Sequence, residues 1–185
     1  NAMLTFLDGR LNMKGSPNEN FARELFELFV IGKGYEDGLP PDLDAGDYLN
    51  FTEQDVQAAA RVLSGWNADN VLDNIDLDTM LPRGKVRGGT VATAHDNDPK
   101  QFSFRLGNHI IEPNPELLDE QGRPTEESAL DEIGQLIDLL YAQDETARYI
   151  CRKIYRFFVY SHISPSVETE IIQEMANTFK ANGFK

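Results

Sequence analysis

The chain is predicted to fold as a mainly α-helical assembly of about five helices with a small β-hairpin insertion. Three observations carry this. Five segments place apolar residues at helical spacing behind recognisable start signals. One stretch around residues 102–106 alternates apolar and polar residues with the period of a strand. The 185 residues are 41% hydrophobic and 26% charged, the composition of a globular protein with enough chain to bury a core.

The first predicted helix is SPNENFARELFELFVIG, residues 16–32. Ser16 suits the cap, Pro17 the first turn, and Glu19 the capping-box position, while Gly32 and Gly34 supply the stop. At 100° per residue, Phe21, Ala22, Leu25, Leu28 and Phe29 share the expected core face, with Phe26 and Val30 on the far side beside Glu19 and Arg23. A helix apolar nearly all round is buried, so its charges need partners. Glu19–Arg23 and Arg23–Glu27 both stand at i,i+4. A structural ion-pair ladder is favoured here over a functional cluster.

The second helix lies in FTEQDVQAAARVLSGW, residues 51–66. It is expected to start at Thr52 with Asp55 in the capping box, and to stop at Gly65. Val56, Ala59, Ala60 and Leu63 form a stripe of mostly small residues for close packing, and Arg61 flanks it. Trp66, the one tryptophan, is expected to plug the helix end into the core rather than to serve as a ligand platform.

Residues 67–124 read as an irregular insertion. Phe102, Phe104 and Leu106 alternate with Ser103 and Arg105, and the Asp96-Asn97-Asp98-Pro99 turn leads back to a β-prone run at 89–95. The expected hairpin therefore lies within residues 89–106, with 109–111 as a short third strand. Three helices follow. One starts at Thr125 with Ala129, Leu130, Ile133, Leu136, Ile137 and Leu140 inward. The next starts at Asp144 with Ala147, Ile150, Cys151, Ile154, Phe157 and Phe158 inward. The last starts at Ser164-Pro165 with Val167, Ile171, Ile172, Met175 and Phe179 inward. Residues 3–185 are expected to form one helical domain, read as an excerpt of a longer protein. Apolar helix surface left bare by that truncation is expected to favour self-association.

A net charge of −14 argues against a nucleic-acid backbone or an anionic membrane as partner. No stretch is long and apolar enough to suggest membrane insertion. Cys151, the single cysteine, has no partner for an internal disulfide.

Four motifs, PNENFAREL at 17–25, TEQDVQAAARVLSGW at 52–66, His95-Asp96 shortly before Lys100, and TARYICRKIYRFFV at 146–159, stand in an order and spacing that resemble the bacterial family called domain of unknown function 1800. The resemblance runs from about residue 2 to about residue 159, and it fits a central to C-terminal portion of the longer family members. It departs in the acidic loop at 36–47, where members have a short link. The resemblance implies an exported, periplasmic or cell-surface protein. It carries over no catalytic residue and no cofactor.

Chemistry has few footholds. His95-Asp96 has the composition of a general base or metal ligand, set against a turn histidine that is merely hydrogen-bonded. His95, His109 and His162 show no metal-ligand spacing, and no metal or cofactor is expected. Asp42, Asp44 and Asp47, with Glu53 twelfth, only faintly resemble a calcium loop and read as a solvated acidic loop. The glycine-rich GKVRGG at 84–89 lacks the strand–loop–helix context of a phosphate loop. Arg148, Arg152 and Arg156 form a helical row, read as salt bridges towards Glu126, Glu127 and Asp131 rather than as an anion site. One polar cluster is expected, made of Asn18, Glu19, Arg23, Glu24, Asp55, Arg61, His95 and Asp96. It would join the first two helices to the His95 turn. Two functions compete. One is a non-enzymatic module of a larger exported protein contacting a protein or glycan partner. The other is a hydrolase-like enzyme whose site includes the His95–Asp96 turn and is completed by residues outside this chain.

Overall fold

The computed structural model describes residues 1–34 and 43–184, so Asp42 and most of the acidic loop lie outside the described residues. The protein is mainly helical, with two small antiparallel pairs of strands. A short α1 (Ala2–Phe6) precedes α2 (Asn20–Glu24), which runs on as a π-turn over Leu25–Val30. Then come α3 (Glu53–Val62), β1 (Trp66–Asn67), β2 (Lys85–Val86), β3 (Lys100–Gln101) and β4 (Ile110–Ile111). The C-terminal third holds α4 (Glu126–Tyr141), α5 (Asp144–Phe158), α6 (Pro165–Val167), a π-turn over Glu168–Ile172 and α7 (Gln173–Ala181).

The helix at α2 corrects the sequence reading twice. Ser16 does not cap it; Ser16 bridges back to Met13, and the carboxamide of Asn18 accepts from the Asn20 amide at 3.0 Å instead. The π-turn then adds a residue to the turn and rotates the stripe. Ala22 and Phe26 become the fully buried pair, while Leu28 and Phe29 are exposed. Gly32, in the left-handed region, ends the segment as expected.

The second helix follows its prediction. The Thr52 amide donates to the Asp55 carboxylate at 2.7 Å, and Val56, Ala59, Ala60 and Leu63 are buried. So are Ala58 and Val62, which makes α3 the axis of the main core with Phe26, Phe51, Phe102, Ile111, Leu136 and Leu140 around it. Trp66 packs with Leu4, Val86, Ala92 and Ala129.

The hairpin exists with different strands. Lys100 pairs with Ile111 and Gln101 with Ile110, while residues 89–95 form turns. Phe104–Leu106 is a 3₁₀ turn, with Phe104 exposed and Phe102 and Leu106 buried. Ser103 breaks the alternation because its backbone and hydroxyl are both captured by Asp55. The 84–89 segment supplies β2, paired with β1, and is no phosphate loop.

In the C-terminal third Thr125 caps α4 and Ser164 caps α6, with Pro165 in the first turn. Ala147, Cys151, Tyr155, Ile172 and Ala176 make a separate small core. The inward stripe of α5 ends early: Ile154 is exposed, and Phe157, Phe158, Val159 and Tyr160 are 81%, 76%, 67% and 63% exposed. No helix among the described residues is long and apolar enough to cross a membrane.

Candidate functional site

The candidate residues collect along α3 in separate groups. At its N-terminal end Arg23 pairs with Glu19 at 3.1 Å and grips both oxygens of Glu53, one of them at 3.1 Å. Tyr48 donates its hydroxyl to Glu53 at 2.9 Å. The Arg23 guanidinium holds the Glu53 carboxyl below the usual range, and Glu53 raises Arg23 in return. Glu27 pairs with Lys33 rather than with Arg23. Glu24 takes no part in these ion pairs and is half-buried. Asp47 is likewise occupied, by both arms of Arg105 at 3.0 and 2.8 Å, which keeps its carboxyl low. Of the acidic loop's described carboxylates, Asp47 is thus bound to an arginine.

One turn inward, Asp55 is fully buried. Its carboxylate accepts from Thr52 N at 2.7 Å, Thr52 Oγ1 at 3.0 Å, Ser103 N at 2.7 Å and Ser103 Oγ at 2.6 Å. It ties the hairpin to α3.

At the other end of α3, about 12 Å further along for the eight residues from Glu53 to Arg61, Arg61 meets the His95 turn. Its guanidinium donates to both Asp96 oxygens at 2.7 and 3.3 Å and to the carbonyls of Asp98 and Pro99 at 3.3 and 3.0 Å. Burial pushes the Asp96 carboxyl up, but Arg61 and the Asp98 amide outweigh it and hold it low. That contribution to stability is present at neutral pH and lost as pH falls through the folded-state value.

Behind this pair lies a sealed polar centre. His95 Nδ1 lies 3.0 Å from the Ser64 carbonyl, and Nε2 lies 3.3 Å from Glu132 Oε2. Lys100 donates to the same Glu132 oxygen. The side chains of His95, Lys100 and Glu132 are all 0% exposed. Two close approaches hold the turn. The Asp96 amide donates to Ser64 Oγ at 2.9 Å. Gly65, at φ +86°, would place a Cβ 2.6 Å from the His95 backbone nitrogen. Gly65→Ala is therefore expected to cost at least about 2 kcal/mol, read as a lower midpoint in chemical denaturation.

The single shared pocket does not form. The His95 turn converges with α3 at Arg61, whereas Arg23 and Glu24 stand at the opposite end. Asn18 belongs to neither pair: its amide donates to Asn12 Oδ1 at 3.1 Å, and Asn12 in turn donates to the Ala60 carbonyl at 2.6 Å. Among the described residues, no group of three or more His, Cys, Asp and Glu side chains is placed to hold a metal ion. Two members of the arginine row of α5 are engaged elsewhere than expected. Arg152 pairs with Glu145 and Glu168, and Arg148 stands 3.9 Å from Glu145. Cys151 is buried, which pushes its thiol up and away from thiolate chemistry.

The family model described as protein of unknown function (DUF1800) matches residues 1–185, the whole chain. The chain belongs to the DUF1800 family. No curated protein and no solved structure matches it. In this DUF1800 chain the conspicuous omissions from the sequence-predicted set are Glu132, Ser64, Glu53 and Asn12. Glu132 had a readable signal: it stands three after Ala129 and four before Leu136, a carboxylate on the apolar face of α4. Lys100 stood in the motif set, but nothing local in the sequence marks it as buried.

Proposed function

We propose that this DUF1800 chain is a non-enzymatic module of a larger exported bacterial protein, working through contact with a protein partner. The observation that carries the reading is the bare apolar ridge Phe157, Phe158, Val159 and Tyr160 at the end of α5. A contiguous exposed apolar run of this kind marks an interaction surface. Phe157, Phe158 and Val159 carry no side-chain hydrogen-bonding group for a sugar's hydroxyls, and this favours a protein over a glycan.

A second copy of the chain is the partner we assign, ridge against ridge, as two-fold contacts reuse one patch on both subunits. Two copies at −14 each repel, so screening strengthens the contact. Sedimentation velocity is expected to show a dimer that grows with concentration and with salt, and to show only monomer for Phe157→Ser/Phe158→Ser. A wild-type protein that stays monomeric in high salt at every concentration sinks this reading. The hydrolase alternative is less well supported, because His95 is 1% exposed and its ring nitrogens face Ser64 and Glu132.

A further inference from the structure

The segment between β1 and β2 holds apolar side chains outward on a fixed backbone. Val71, Leu72, Leu77, Met80 and Leu81 are all exposed, Leu77 at 86% and Met80 at 70%. A loop that only connects two strands gains nothing by baring five large apolar residues to water. Its backbone is well tied. The buried Asp69 carboxylate accepts from the amides of Val71 and Asn74 at 3.1 and 2.9 Å, and Lys85 pairs with it at 3.1 Å. Asp76 Oδ1 accepts from the amide and the hydroxyl of Thr79, both at 2.8 Å, and the Asn74 carboxamide donates to the Gly84 carbonyl at 2.7 Å. Ile75 bridges to Pro82 across the base. Leu72 and Met80 stand in the left-handed region at φ +61° and +55°, where glycine would sit freely and a long side chain is strained. The fold thus presents these two side chains to solvent against a backbone strain, the kind of feature that gathers at binding surfaces.

Beside the loop runs a groove of about 620 Å³ against α1, with Ala2, Met3, Leu72, Leu81 and Pro82 among its walls. Charge decides what fits it. Residues 67–82 carry Asp69, Asp73, Asp76 and Asp78 and no lysine or arginine. Lys85 answers Asp69 and Asp73, while no ion pair among the described residues reaches Asp76 or Asp78. A second copy would set these aspartates against their own kind, and a nucleic acid or an anionic membrane would be repelled. We propose that the β1–β2 loop and α1 form a docking surface for a basic amphipathic segment of another protein. Its apolar side chains meet Leu72, Leu77, Met80 and Leu81, and its lysines or arginines meet Asp73 and Asp78. The apolar contacts supply the affinity, and the aspartates supply the rate of encounter and the choice of partner. Because the loop is already fixed, little ordering cost falls on this side. The surface shares no residue with the α5 ridge and responds oppositely to salt: screening weakens a contact with a cationic partner.

The probe is a fluorescein-labelled peptide of leucine and lysine in helical i, i+3, i+4, i+7 order. It is titrated by anisotropy against Phe157→Ser/Phe158→Ser, so that pairing through the ridge takes no part. Saturable binding is expected, weakened about tenfold by adding Leu77→Ser/Met80→Ser and severalfold by adding Asp73→Asn/Asp78→Asn. These four side chains are exposed, so the fold itself is not at stake. The same peptide with glutamate in place of lysine should not bind. Glu170→Gln/Glu174→Gln removes the same charge from exposed positions in the C-terminal layer and should leave the affinity within about twofold. Absence of saturable binding overturns the proposal. Equal losses in the two charge variants also overturn it, since net charge alone would then hold the peptide. So does a dimer of the otherwise wild-type chain that Leu77→Ser/Met80→Ser abolishes, because the patch would then belong to a second copy.

Discussion

Lys100→Met is expected to destabilise the protein by about 3–5 kcal/mol, the cost of leaving a buried carboxylate without its partner. Glu132 is 0% exposed, and among the described residues the hydrogen bond it accepts comes from Lys100. The loss is a large part of a domain's margin of about 5–15 kcal/mol. Removing both charges in Lys100→Met/Glu132→Leu should recover most of it, since apolar groups of similar volume replace a buried ion pair at little net cost. Denaturant titration of the wild type, the single and the double variant gives the comparison. A single variant within about 1 kcal/mol of wild type would mean that Glu132 finds water or another donor.

Asp55→Ala is expected to cost about 3 kcal/mol or more, because it strips acceptors from buried donors on two elements at once. Asp55→Asn should rescue little. Oδ2 takes three of the four hydrogen bonds and Oδ1 the fourth, so an amide NH₂ on either side would face donors. Amide hydrogen exchange offers a local readout: Thr52 and Ser103 should both lose protection in Asp55→Ala while the α4 interior keeps its own. Unchanged protection at Ser103 would show that the hairpin is held to α3 by packing alone.

What the sequence discloses here is local. The helix starts at Thr52, Thr125 and Ser164-Pro165 were legible because the atoms involved sit within three or four residues of each other. Arg61 and Asp96 could be placed in one candidate set, and they do meet. Arg23 was expected to find a carboxylate and found Glu53 and Glu19. The failures share a cause. Lys100 and Glu132 are 32 residues apart, and no period links them. Phe104 was read as inward because alternation assumes an unbroken strand, whereas Asp55 reaches across from α3 and bends the chain at Ser103. Phe26 and Leu28 exchanged places because a constant 100° per residue cannot anticipate a π-turn.

The separate small core of the C-terminal layer has a consequence for how this protein melts. Cys151, Tyr155, Ile172 and Ala176 pack among themselves, while Trp66, the single tryptophan, sits in the other half with Leu4 and Ala129. Anchors such as the Tyr149 hydroxyl, which donates to the Glu27 carbonyl at 2.6 Å, join the layer to the body. Indole emission therefore monitors the body alone, and the layer that carries the aromatic ridge is silent to it. Far-ultraviolet dichroism reports every helix, α5 and α7 among them, and so sees the layer as well as the body. Where the two curves separate on heating, the gap measures the free energy that couples the halves, and a single transition temperature ceases to describe the molecule.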